Sequence, residues 1–451
     1  MKRMYAVSTR LDMTDGLKEY LEDYIVFYNS IERRVFHDLC HDIPKEMGMG
    51  RYITHICNSY GILKRTANSI RYDMQGRINA YLELKKTELS QISIKIQSVR
   101  KKFTKLESSM SELKPLARDN RLDKKGLSKY KNVRSSLYHQ KNRLNKLCQR
   151  KSVLEQQIKY KRVSFCFGTK KLFDAQNRLD ENGFKSHDGW LHTFQKKRDS
   201  GIFFLGSGDE SYGNQILQLK PCEDGFLLQL RKDRPYENNG KYLLADIRFR
   251  YMEKEIISAL NNNQSMTYRI SRKGRKWYLT VLFSMDTDIV TDSKSGVIGI
   301  DYNNGFMELV ETDSSGNMIY AEHVHLDYHG TGNKAESEIK EKISGIVKAA
   351  FEKKKNIVME DLDFRKKKAW QNKGENAGYN RMLHLFDYHR YTFWLDNLCI
   401  KYGVRLMKVN PAYTSVIGKK KYGHSRKLTI HRAAALVIAR RGQGYNDKFI
   451  A

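Results

Sequence analysis

The chain has 451 residues, with 82 Lys and Arg against 51 Asp and Glu, a formal net charge of +31. So unbalanced a charge repels itself and calls for a polyanionic partner, while 40% hydrophobic residues and 27 Tyr exclude a disordered basic tail. No apolar run reaches the roughly 18 residues of a membrane helix, and Met1-Lys2-Arg3-Met4-Tyr5 leads straight into a polar strand pattern, unlike a secretory signal.

Tyr5 to Leu11 alternates and predicts a first strand, and helical patterns fill Asp15 to about Lys114. From Leu89 the apolar positions run Leu89, Ile92, Ile96, Val99, Phe103, Leu106, Met110 and Leu113. Their alternate spacing of three and four is a heptad seam and predicts one long helix. Pro115 and the charged stretch to Lys125 predict its end. A second seam follows at Val133, Leu137, Leu144, Leu147, Leu154 and Ile158, with Gln140 and Lys151 in register, so the two helices form an antiparallel hairpin. Its outer faces carry Lys85, Lys86, Lys101, Lys102, Arg143 and Arg150. Taken singly these are solvated side chains; the net charge makes them together a surface for nucleic acid.

From Val163 to Met285 the period is that of strands: Val163–Phe167, Ile202–Leu205, Ile216–Leu219, Phe226–Leu230, Tyr242–Arg250, Met266–Ile270 and Trp277–Phe283. Turn clusters such as Gly206-Ser207-Gly208-Asp209 and Glu237-Asn238-Asn239-Gly240 divide them. The expectation is a small β-barrel completed by the first strand, with the helical region inserted after that strand.

Beyond Ser295, strands and helices alternate. Gly296–Asp301, Phe306–Glu311 and Met318–His323 read as strands, Asn333–Lys354 as a helix and Asn356–Met359 as a buried strand ending in Glu360. A helix over about Tyr379–Tyr402, a strand at Val404–Asn410 and a helix at Thr429–Arg441 follow. The order βββαβαβα predicts an α/β layer of the RNase H kind, in a multidomain α+β chain. The six cysteines are too far apart for a C-x-x-C pair, so they read as reduced core thiols of a cytoplasmic protein, with no zinc site.

Asp301 and Glu360 each end an apolar strand, where a carboxylate is costly unless a cation holds it. Mg²⁺ is the usual cation in phosphodiester chemistry, with Mn²⁺ as a substitute, and two such carboxylates on neighbouring strands suit it. For either acid alone, a helix cap or a Lys partner is the simpler account.

These residues resemble a family. Gly299-Ile300-Asp301, Met359-Glu360-Asp361-Leu362 and Val409-Asn410-Pro411-Ala412-Tyr413-Thr414-Ser415 are similar to the RuvC motifs of TnpB proteins, the RNA-guided nucleases of insertion sequences and relatives of compact type V CRISPR effectors. The resemblance implies residues 1–14 as the first strand of a wedge barrel, 15–160 as a helical recognition lobe, 161–292 as the rest of the wedge and 293–451 as a RuvC-like nuclease domain. It implies a guide RNA and a double-stranded target DNA cut beside a short flanking motif by one Mg²⁺-dependent site, in a prokaryotic, nucleoid-associated protein. The chain departs from the family twice. The Asn-Pro-Ala-Tyr-Thr-Ser stretch runs into Val416-Ile417-Gly418-Lys419-Lys420-Lys421 and not into a zinc ribbon. The third acid is missing, and the nearest match on the last helix is His431, or Ile430 in a shifted alignment.

His431 then completes the set Asp301, Glu360, His431 as a ligand or positioner, since imidazole binds divalent ions, or it is an ordinary first-turn residue of a packed helix. The matching functions are an RNA-guided endonuclease and an RNA-guided DNA-binding repressor with a silent RuvC domain. A transposase ranks behind both, because His323-x-His325 has no matching Tyr context. Arg440 and Arg441 are helix-end charges or backbone contacts to nucleic acid.

Overall fold

The computed structural model describes residues 2–233, 241–303, 305–326, 332–362, 388–423 and 425–447. The turn at Glu237–Gly240 and the first part of the helix expected from Tyr379 lie outside the described residues. The chain divides into two compact units, residues 3–285 and residues 286–451, the latter grouped with the first two residues. No helix among the described residues is long and apolar enough to cross a membrane.

The first unit begins with β1 (Lys2–Leu11) and α1 (Asp15–Cys40), then α2 (Ile43–Met47), α3 (Met49–Tyr60), α4 (Lys64–Arg118) and α5 (Lys124–Lys159). Thr14 caps α1, its Oγ1 accepting from Leu17 N at 3.4 Å. Leu17, Leu21, Tyr24, Tyr28, Ile31 and Val35 recur at helical spacing and are buried. α4 and α5 pack as the expected hairpin, with Ile92, Ile96 and Leu154 in its core and Leu89, Leu144 and Leu147 against them. Arg150 crosses between the helices to Glu88 at 2.7 Å. Pro115 does not end α4; the helix runs through it to Arg118, because one proline in the last turn removes a single hydrogen bond on an exposed stretch.

Ile96→Glu is expected to open this seam. It removes a buried side chain worth about 1.5–3 kcal/mol and puts a charge into the apolar seam. Far-UV circular dichroism should show the hairpin melting earlier, whereas Lys101→Glu, on the exposed face, should leave the melt unchanged.

Next come α6 (Lys170–Asp174), α7 (His187–Arg198), β2 (Gly201–Phe204), β3 (Leu217–Cys222), β4 (Gly225–Arg231), β5 (Tyr242–Ile247), α8 (Glu253–Asn261), β6 (Thr267–Lys273) and β7 (Lys276–Asp286). The strands form a four-stranded sheet, β1-β7-β6-β2, and a three-stranded sheet, β3-β4-β5, so β1 does join a sheet made by the later strands. A small barrel is the sequence expectation; no closed barrel is found among the described residues. Two further differences have physical causes. Val163–Phe167 is not a strand, because Phe165 and Phe167 turn their rings onto Phe36 at 5.9 and 5.3 Å. The helices α7 and α8 interrupt the strand run, and α7 is started by Ser186, whose Oγ accepts from Gly189 N at 3.2 Å.

The second unit contains β8 (Asp292–Asn303), β9 (Phe306–Thr312), β10 (Met318–His325), α9 (Gly332–Glu352), β11 (Lys355–Glu360), α10 (Tyr388–Tyr402), β12 (Leu406–Val409), α11 (Thr414–Gly418) and α12 (Ile430–Gly442). Its sheet has the order β10-β9-β8-β11-β12. β8, β9 and β10 are antiparallel neighbours, while β11 runs parallel to both β8 and β12. Ile298 and Ile300 face a core shared with Ile343 and Val347 of α9 and Leu395 of α10. Val297 packs on the other side with Ile438 and Ala439 of α12. Helices therefore cover both faces, which is why Val297–Ile300 reads as an unbroken apolar run.

Candidate functional site

The site begins with a close approach. A Cβ on Gly299 would lie 2.4 Å from Ala435 O and 2.7 Å from Ala439 Cβ. α12 can therefore lie directly on β8 only because Gly meets Ala there. Thr429 caps α12, with Oγ1 accepting from Arg432 N at 3.3 Å, so His431 falls in the first turn.

That placement brings His431 to Asp301 near the end of β8. His431 Nδ1 lies 3.2 Å from Asp301 Oδ2, and Asn303 Nδ2 donates to the same oxygen at 2.9 Å. An ionised carboxylate can only accept, so opposite an ionised Asp301 the imidazole donates from Nδ1. Asp301 is 8% exposed. Burial pushes its pKa up, while the bonds from Asn303 and His431 pull it the other way.

Glu360 ends β11, the parallel neighbour of β8. The ladder sets Val358 opposite Gly299 and Met359 opposite Ile300, so the next residues along the two strands are Glu360 and Asp301. Glu360 Oε1 accepts from Thr414 Oγ1 at 2.5 Å. Thr414 is delivered by the Asn410–Ser415 stretch. There Asn410 Oδ1 accepts from Ala412 N at 2.9 Å, and Tyr413 takes a left-handed conformation with φ 61°. Arg441 holds this stretch from α12, donating to the carbonyls of Asn410 and Ala412. Arg440 donates to Gly316 O at 2.9 Å and pairs with Asp447 at 3.0 Å. Both guanidiniums, open to two readings in the sequence, thus serve the fold.

A second cluster stands beside Asp301 and was not foreseen. Glu308 of β9 lies opposite Asp301 in the ladder. It takes Arg432 Nε at 3.0 Å and His323 Nδ1 at 2.7 Å. The Phe306 ring sits 5.1 Å from each of His323 and His431. Glu308 carries no motif, and only the strand pairing could have linked it to the site; Arg432 follows His431 in the sequence, but its bond to Glu308 depends on the fold.

The electrostatic contrast within this unit is sharp. Buried Glu308 pairs with Arg432, Glu311 with Lys353 and Lys355, and Asp447 with Lys421 and Arg440. Asp301 has no Lys or Arg partner among the described residues, its one ion-pair contact being His431. A buried carboxylate left in this way beside a second strand-end carboxylate suits a hard divalent cation, so the oxygen donors of Asp301 and Glu360 fit such an ion. The third position is filled differently: His431 spends Nδ1 on Asp301, and among the described residues no group of three or more His, Cys, Asp or Glu stands ready to hold a metal.

No protein-family model and no curated protein matches the chain. Among solved structures, it is similar to a Cas12f1–sgRNA–target DNA complex, with 14% identity, a TM-score of 0.38, and coverage of 97% of this chain and 98% of that one. It is also similar to T. thermophilus RuvC bound to a Holliday junction substrate, with 12% identity, a TM-score of 0.24, and coverage of 32% and 89%. A third is the Cas12i1 R-loop complex after target DNA cleavage, with 9% identity, a TM-score of 0.23, and coverage of 81% and 61%.

Proposed function

We propose that this chain is an RNA-guided DNA nuclease of the RuvC type, with residues 293–451 as an RNase H-like catalytic domain that lacks a zinc ribbon. Residues 15–160 act as a recognition lobe, and residues 1–14 with 161–292 as the wedge. The observation that carries this reading is Asp301: a buried acid with no Lys or Arg partner among the described residues, one strand from Glu360, in a chain of charge +31. The sheet order β10-β9-β8-β11-β12, with three antiparallel strands followed by two parallel ones, supports it.

In this reading Asp301 and Glu360 hold Mg²⁺, or Mn²⁺ in its place. When bound, the divalent ion supplies Lewis-acid activation of water and charge stabilisation at the phosphate. The protein's part is orientation. His431 and Asn303 fix Oδ2 of Asp301, Thr414 fixes Oε1 of Glu360, and the rigid Gly299–Ala435 contact sets the height of α12 above the sheet. Base pairing with a guide RNA supplies target specificity, while the protein reads a short flanking duplex motif and the shape of the heteroduplex. The protein works in the cytoplasm on nucleoid DNA.

A second reading, an RNA-guided DNA-binding repressor, is favoured by His431 standing where the family resemblance implies an acid. Both readings require a guide. The protein is expected to purify with one structured RNA species, and its affinity for that RNA should fall by about 0.7–0.9 log units per phosphate contact for each tenfold rise in salt. Sequencing the bound RNA checks this; heterogeneous fragments without a preferred species would remove both readings. Incubating the loaded protein with matching DNA and Mg²⁺ then separates nuclease from repressor.

A further inference from the structure

Within the first unit, a cavity of about 780 Å³ has Phe165, Phe167, Phe173 and Phe194 among its walls. Cations reach it from four elements: Arg33 of α1, Lys85 of α4, Lys170 of α6 and Arg198 of α7. Asp174 is the one carboxylate among the described residues of its wall, and just outside it Glu88 pairs with Lys85 at 2.9 Å. A second cavity of about 350 Å³ shares Phe165, Phe167 and Arg198, and adds Arg77, Lys197 and Arg269. The Phe165–Phe167 pair, with rings 5.1 Å apart at 84°, is therefore a wall common to two basic cavities.

The rings are not a closed core. Phe165 is 37% exposed and Phe173 is 45% exposed. The guanidiniums are fixed in advance: Asp199, 2% exposed, holds Arg33 at 2.6 Å and Arg198 at 2.8 Å. Gly168 has φ +102°, and a Cβ there would come within 3.3 Å of the Phe194 ring, so the backbone passes close beneath that ring. Open aromatic faces beside pre-set cations are what an unpaired nucleotide needs: the base stacks on the ring, and its phosphate meets the charge. An acidic peptide would use the cations and leave the exposed Phe faces without a partner.

We propose that these cavities bind unpaired nucleotides of a single-stranded nucleic acid, one base on either side of the Phe165–Phe167 wall. The inference rests on the nucleic-acid reading above but not on cleavage.

The test uses the full chain, freed of RNA, with fluorescein-labelled U12 and dT12, and with the same oligomers carrying 2-aminopurine. Wild-type protein is expected to bind and to quench the 2-aminopurine. Phe165→Ala and Phe173→Ala should each weaken binding about 5- to 100-fold and relieve the quenching. Phe165→Trp, which keeps a stacking face, should retain both, and Lys170→Ala should lower the salt slope by about 0.7. A difference between U12 and dT12 assigns the site to RNA or to displaced DNA. Unchanged affinity and quenching in Phe165→Ala and Phe173→Ala variants that melt like wild type would overturn the proposal. Loss of guided cleavage with unchanged quenching bears on the nuclease site alone, and loss of quenching with intact cleavage bears on these cavities alone.

Discussion

Asp301→Ala and Glu360→Ala are each expected to lower cleavage of guided DNA by on the order of 10³-fold or more while leaving guided binding within about twofold. Each removes a candidate ligand at the end of a strand without altering the basic faces of the first unit. Thermal stability gives a readout that does not depend on turnover. Burial works against the charged form of Asp301, and no Lys or Arg among the described residues offsets that cost. The ion-free Asp301→Asn variant should therefore melt at or above the wild-type temperature. Adding Mg²⁺ should raise the wild-type melting temperature and leave that of Asp301→Asn nearly unchanged. A purely structural Asp301 would give the reverse pattern: Asp301→Asn would melt lower, and Mg²⁺ would act equally on both proteins.

The second unit was legible in the sequence because its strands are buried on both faces. Continuous runs such as Val297–Ile300 and Ile357–Met359 have no other use in a chain this polar, and an acid at the end of each run stands out. The hairpin was legible for a different reason, a seam with strict heptad spacing. The first unit was read less well. Val163–Phe167 has the period of a strand, but its phenylalanines pack on Phe36 and line open cavities, and period alone does not distinguish a ladder from an aromatic cluster. The site was legible in part. Asp301, Glu360 and His431 were named from motif positions, and the fold brings His431 to Asp301 by a bond and Glu360 beside it by register. Glu308, Arg432 and Thr414 act through pairing and loop geometry, which depend on contacts between residues 54 to 124 positions apart.

His431 carries the remaining contrast between nuclease and repressor. Its Nδ1 is engaged with Asp301 Oδ2, so in the proposed reading it orients that carboxylate. Partners that orient a ligand in this way are worth about 10–100-fold in affinity or activity. His431→Ala is therefore expected to lower cleavage by roughly that factor, with guided DNA binding and the melting temperature little changed, and to require more Mg²⁺ for half-maximal rate. His431→Asp puts an oxygen donor where the family resemblance implies an acid, and since Mg²⁺ prefers oxygen over imidazole nitrogen, cleavage with Mg²⁺ should equal or exceed wild type. The measurement is a single-turnover cleavage rate across a Mg²⁺ titration for the three proteins loaded with the same RNA. If His431→Ala cuts like wild type, the imidazole is helix packing and the site works with its two carboxylates alone. If wild-type protein binds guided DNA tightly and cuts nothing under Mg²⁺ or Mn²⁺, while His431→Asp cuts, the imidazole has silenced a RuvC site that the fold still holds in place, and the protein acts by occupying its target.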